Sequence, residues 1–112
     1  MTKKVFICAP AATDANENLL KAMLYTEFAL KSGVSPIVPH FYILCVGDSE
    51  AERKMIESAS TGLLFLIDEI WVFGNRITKE MDREIQFCRC LNVRVRFVKN
   101  EEVNALLGGD KV

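Results

Sequence analysis

A chain of 112 residues, 50% hydrophobic and 26% charged, is too apolar to stay disordered and too short to hold two cores, so one globular domain is expected. Fourteen basic and fifteen acidic side chains leave a formal charge of -1, which supplies no field for a nucleic-acid polymer or an anionic membrane. Cys8, Cys45, Cys88 and Cys90 show no CxxC spacing, and a single histidine completes no zinc pattern; neither a metal, a disulfide nor any other cofactor is expected.

Met1-Thr2-Lys3-Lys4 runs straight into a strand-like segment, without a long apolar region or a small-residue cleavage site. No stretch reaches the roughly 20 apolar residues of a membrane span. The expected location is the cytoplasm. Val5 to Ala9 is a continuous apolar run of strand length, the pattern of a strand covered on both faces. Pro10 ends it. Thr13, Asp14 and Asn16 then offer caps for a long amphipathic helix whose apolar positions are Leu20, Met23, Leu24 and Phe28, and Gly33 stops that helix.

Val34 to Val38 is a second strand, and Pro36 inside it places it at a sheet edge because proline donates no ladder hydrogen bond. Pro39 to Gly47 is apolar without clear period and reads as a partly buried connection or a subunit contact. Asp48-Ser49-Glu50 begins a helix that continues to about Leu66. Glu69 to Phe73 is a third strand, closed by Gly74-Asn75; Thr78 caps a helix running to about Leu91. A fourth strand spans Val93 to Val98, and a final short helix spans Asn100 to Leu107.

Strand and helix alternate throughout, which predicts an α/β fold: a three-layer α/β/α arrangement around a four-stranded parallel sheet of order 2-1-3-4. Residues 1–107 form the single domain, and Gly108 to Val112 reads as a frayed tail. In such a sheet a ligand sits beyond the carboxyl ends of the strands where the strand order reverses, here between the first and third. That edge contains Cys8, Ala9 and Pro10, then His40, then Gly74 and Asn75.

The third long helix gives the sharpest clue. At about 100° per residue, Met81, Ile85, Cys88 and Leu91 share one apolar sector, and Glu84 falls inside it. Asp82, Arg83 and Gln86 point elsewhere. A carboxylate on a buried face is paired, protonated or functional. His40 can touch an anion or exchange a proton near neutrality, although a lone histidine is usually structural. Gly74-Asn75-Arg76 before the Thr78 cap combines a pliable backbone, a guanidinium and a helix N-terminus, a set suited to a phosphate or a ribose hydroxyl and equally to an ordinary turn. Asp68 and Glu69 stand at the start of the third strand, the end remote from that edge, and Asp68 reads as structural, a helix or turn cap. With no GxGxxG and no GxxxxGK[ST], dinucleotide redox chemistry and P-loop phosphoryl transfer lack their usual equipment.

Four segments carry a resemblance over nearly the whole chain: Val5 to Pro10, Asn18 to Ala29 with Tyr25, Pro36 to His40, and Asp68-Glu69-Ile70-Trp71-Val72-Phe73-Gly74 through Glu84-Ile85. In these the sequence resembles small bacterial and phage proteins of unknown function related to nucleoside 2-deoxyribosyltransferases. The resemblance implies a flavodoxin-like or Rossmann-like fold, a nucleoside or nucleotide ligand, and an oligomer of identical subunits that completes its sites. It implies Glu84 as the catalytic nucleophile on the sugar's anomeric carbon. It further implies that Cys8, Ala9, Pro10, Asn18, His40, Gly74, Asn75, Arg76, Thr78 and Met81 line the ligand. The sequence departs from that pattern at three points. Thr78 stands where the enzymes commonly carry an acidic partner, Ala11 stands where related small proteins often have tyrosine, and the loop after the second strand is shorter.

Three readings are therefore open: a nucleoside or nucleotide binder that cleaves an N-glycosidic bond or transfers the sugar through Glu84, a noncatalytic sensor or sequestering protein for a nucleotide-derived signal, and an oligomerisation module. The third would bury Phe41, Tyr42, Ile43, Leu44 and Trp71 between subunits.

Overall fold

A computed structural model describes residues 2–11, 14–47 and 49–112. Four strands, β1 (Lys4–Cys8), β2 (Ser35–Ile37), β3 (Glu69–Val72) and β4 (Arg94–Phe97), form one sheet in the order β2-β1-β3-β4. All three pairings are parallel, with Val5 opposite Pro36 and Glu69, and Glu69 opposite Arg94. The helices are α1 (Ala15–Lys31), α2 (Ile43–Val46), α3 (Glu50–Leu63), α4 (Lys79–Cys90) and α5 (Asn100–Leu107), with a 3-10 turn at Pro39–Tyr42. The expected α/β sheet and its order are what the chain adopts, and Pro36 does sit on an edge strand.

Alternation along the strands divides the core in two. Val5, Ile7, Trp71 and Phe73 face Tyr25, Phe28 and Ala29 of α1 and Val103 of α5. Phe6, Cys8, Ile70 and Val72 face Leu64, Met81, Ile85 and Cys88 on the side of α3 and α4. Rings knit the first layer together: Tyr25 stacks on Phe73 at 4.5 Å, and Phe28 meets Trp71 edge-on at 6.0 Å. Trp71 is consequently buried and cannot belong to a subunit contact.

Of the four α1 positions expected to pack, Phe28 is buried and Leu24 partly so, but Leu20 and Met23 are not. Asn18, Ala22, Tyr25, Phe28 and Ala29 are buried, whereas Leu20 and Met23 stay 56% and 54% exposed. Small residues at 22 and 29 let the helix approach the sheet while Tyr25 and Phe28 fill the space beside them. The leucines cannot occupy that close contact and turn outward.

Caps set the helix starts. Asp14 accepts from the amides of Asn16 and Glu17 at 2.8 and 3.2 Å, and Ser49 and Glu52 form a reciprocal capping box on α3. Thr13 and Asp48, also read as start signals, lie outside the described residues. α3 ends at Leu63, short of Leu66, because tight turns follow: the Leu64 and Leu66 amides bond back to Thr61 and Leu63. Pro39 to Val46, read as irregular, folds into the 3-10 turn and the single turn of α2. The five residues read as a tail carry contacts of their own: Asn104 Oδ1 accepts from the amides of Lys111 and Val112, and Val112 packs on the α1–α5 core layer.

Candidate functional site

The carboxyl ends of β1 and β3 meet where the strand order reverses. The Phe73 amide donates to the Cys8 carbonyl at 2.8 Å, extending the ladder one step past β3. The chain then turns sharply at Gly74, whose φ is +93°; a Cβ there would lie 2.8 Å from Pro10 Cδ. Only glycine fits so close an approach in the left-handed region. The two strand-end loops are thereby held against each other.

Glu84 reaches this junction from the middle of α4. The helix begins at Thr78, whose hydroxyl accepts from the Met81 amide at 3.2 Å while the Thr78 amide donates to the Met81 thioether at 3.5 Å. Met81, Ile85 and Cys88 are buried on the sheet, as the helical period predicts, and Glu84 is half-buried beside them. Leu91, assigned to the same sector, lies past the helix end and is 37% exposed. The Cys8 thiol donates to Glu84 Oε1 at 3.4 Å. A thiol is a weak donor and does little to stabilise a carboxylate.

Burial therefore dominates Glu84 and raises its carboxyl pKa to about 7; the Cys8 bond opposes this, and nearby Glu57 and Glu80 reinforce it. The same burial, followed by the charge of Glu84, raises the Cys8 thiol and moves Cys88 up to about 11. Both thiols are thus inert near neutrality, and Glu84 is the group here poised to exchange a proton.

His40 closes the other side. Its Nε2 donates to the Ala9 carbonyl at 3.0 Å, which fixes the tautomer and leaves Nδ1 as the acceptor. Nδ1 is buried without a hydrogen-bond partner. Burial lowers the imidazole pKa, against the raising effect of the Ala9 bond, so the ring is held neutral.

Cys8, Ala9, Pro10, His40, Gly74 and Glu84 thus form one chain of contacts at the strand ends. Asn18 is buried in the first turns of α1. Asn75 and Arg76 are exposed on the loop before α4, and Arg76 forms no ion pair among the described residues. Met81 is brought to the helix start but is 2% exposed, and its side chain serves the core and the Thr78 cap. Glu57 went unnoticed in the sequence. It lies on the neighbouring helix, 3.0 Å from Arg83, and no local period marks that approach.

At the opposite edge Asp68 has the structural part expected of it, and Glu69 has one as well. Asp68 accepts from the Lys4 amide at 2.8 Å. Glu69 is buried between Lys3 at 2.7 Å and the Trp71 indole N–H at 3.0 Å, and the Lys3 bond foremost holds its carboxyl below the usual range. Two open clefts lie away from Glu84: one beside Lys3, Lys4, Asp68 and Arg94 at this edge, and one between α1 and α5 at Phe28, Ser32 and Leu106. Among the described residues, no helix is long and apolar enough to cross a membrane, and no group of three His, Cys, Asp or Glu is placed to hold a metal.

One family, described as a domain of unknown function, matches residues 3–98 of the chain, a span that takes in the whole sheet and every helix but α5. No curated protein matches the sequence.

Proposed function

The chain belongs to this family, DUF7768, and we propose that it binds a nucleoside or nucleotide at the β1–β3 strand ends, with Glu84 attacking the anomeric carbon of the sugar. The observation that carries the proposal is Glu84 itself: a half-buried carboxyl at the point of strand-order reversal, held by one weak donor and titrating at about 7. The nucleoside class comes from the resemblance of the four segments to deoxyribosyltransferase relatives.

The chemistry follows from the charge states. With its pKa raised to about 7, Glu84 exchanges its proton near neutrality. A sugar acquiring positive charge at its anomeric carbon stabilises the anion that burial penalises, so the interaction strengthens as the bond breaks. The carboxylate forms a bond to the carbon, and the carbon–nitrogen bond releases its electron pair to the base, which takes a proton from water. Water or a second base then displaces the sugar from Glu84, giving hydrolysis or transfer. His40, neutral and bound to the Ala9 carbonyl, fixes the backbone at the end of β1. Gly74 and Asn75 supply main-chain groups for the sugar hydroxyls. A cytoplasmic location belongs to the same reading, supported by four free thiols.

A second reading, binding without turnover, is favoured by Thr78. Its hydroxyl accepts from the Met81 amide and, as an aliphatic alcohol, is too weak an acid to protonate a leaving base. One experiment separates the two: incubation with a panel of nucleosides and nucleotides, followed by chromatography. Catalysis predicts free base from the wild type and none from Glu84→Gln. Recovery of unaltered ligand from a tight complex instead establishes the binder for that ligand.

A further inference from the structure

A helix lying on a sheet normally shows one apolar stripe and one polar face; α1 shows two apolar stripes. Asn18, Ala22, Tyr25, Phe28 and Ala29 cover the sheet. On the diametrically opposite side, at about 100° per residue, Leu20, Met23, Glu27 and Leu30 recur at the alternating three- and four-residue spacing of a coiled-coil seam. Its three apolar members are 56%, 54% and 60% exposed. From Leu20 to Leu30 the seam is about 15 Å long on a helix of 17 residues.

We infer that this seam pairs with the α1 seam of a second copy of the chain, antiparallel across a twofold axis. In the register that opposes the two kinds of seam position, Leu20 meets Leu30 of the partner subunit, and Met23 meets the partner subunit's Glu27, each contact occurring twice. The charges on the flank then complement one another. Glu17, in the first turn, comes opposite Lys31 of the partner subunit in the last turn, and Leu24 comes opposite its own copy at the axis. Glu17 and Lys31 are both exposed and of opposite sign, so two such pairs close the ends of the seam. Glu27 is the polar member, and its ion pair with Lys31 at 2.7 Å draws the carboxylate to the flank. One polar residue in such a seam fixes register at some loss of affinity. A parallel pairing would instead turn the Glu17–Leu24–Lys31 flank toward the opposite flank of the partner subunit, where the uncharged Leu19 and Thr26 stand, and the charges would find no complement. The arrangement leaves the strand-end site free, because Asn18 and Glu84 lie on surfaces away from the seam.

Sedimentation velocity on the purified full chain across the micromolar range tests this. The wild type is expected to dimerise reversibly, and Leu20→Asp to remain monomeric. Glu17→Lys and Lys31→Glu, each alone, should weaken the dimer about tenfold, two like-charge contacts replacing two opposite ones. The double exchange should recover most of that loss. Lys31→Glu breaks the pair with Glu27 in the single and the double variant alike, so recovery in the double reports the contact between subunits and not helix stability; circular dichroism checks that each variant folds. A wild type that is monomeric throughout the range, or a double exchange no tighter than the singles, overturns the inference.

Discussion

Replacing Glu84 by Gln keeps the shape of the side chain and an oxygen to accept from Cys8, but removes the titration. In the folded protein the carboxyl holds its proton up to about 7, whereas its ordinary value is 4.5. Between these values the folded state binds more protons than the unfolded chain, so stability falls as pH rises through that window and then levels off. The rise from 4.5 to about 7 amounts to about 3 kcal/mol. The Gln variant lacks this slope, and its advantage over the wild type should grow by up to about 3 kcal/mol between roughly pH 4 and pH 8. Other groups act differently: His40, with its pKa lowered, costs stability as pH falls below 6.5, and Glu69, also lowered, does so below 4.5. Both are present in either protein and cancel in the difference. Urea unfolding followed by the fluorescence of Trp71, the one tryptophan and a buried one, measures the difference. A difference that stays constant with pH, or that shrinks as pH rises, refutes the account of Glu84 as a desolvated carboxyl.

Three further outcomes follow from the same contacts. Gly74→Ala must both hold a positive φ and displace Pro10, so a loss of at least about 1–3 kcal/mol is expected by thermal unfolding, with weakened ligand binding because the loops separate. Thr78→Ala removes the α4 cap and should cost about 1 kcal/mol in urea unfolding, whereas Thr78→Ser should cost little. Phe28→Ala takes away the ring that touches both Trp71 and Phe73; about 3–5 kcal/mol should be lost, seen as a lower urea midpoint.

The sheet was legible because its signals are local. Val5 to Ala9 and Glu69 to Phe73 are unbroken apolar runs, Pro36 marks the edge, and a helix between each pair of strands forces parallel pairing. Glu84 was legible for the same reason, since helical period alone places it with Met81, Ile85 and Cys88. The partners of Glu84 were not. Cys8 lies 76 positions away and Glu57 on another helix, and neither approach leaves a trace in spacing. α1 misled at Leu20 and Met23, though not at Phe28, because both its faces are apolar, and periodicity cannot say which of two stripes meets the sheet. Ala22 and Ala29 held the answer, since small side chains permit the closer packing.

The two stripes and the buried carboxyl pose one physical problem at different scales. Leu20, Met23 and Leu30 leave apolar surface in water, and Glu84 keeps a charge-bearing group out of it. Neither arrangement lowers the free energy of the isolated chain. On the two proposals made above, each would be relieved by a partner of matching kind: a second seam for the leucines, and a cationic sugar centre for the carboxylate. The reliefs are also separable. The seam lies on the far side of α1 from the sheet, while Glu84 approaches from α4 across it. Leu20→Asp should therefore abolish pairing yet leave the pH dependence of Glu84 unchanged, and Glu84→Gln should do the reverse. A shift of the Glu84 titration in the Leu20→Asp variant would mean that the subunit contact reaches the strand-end site, and that the two features belong to a single functional unit.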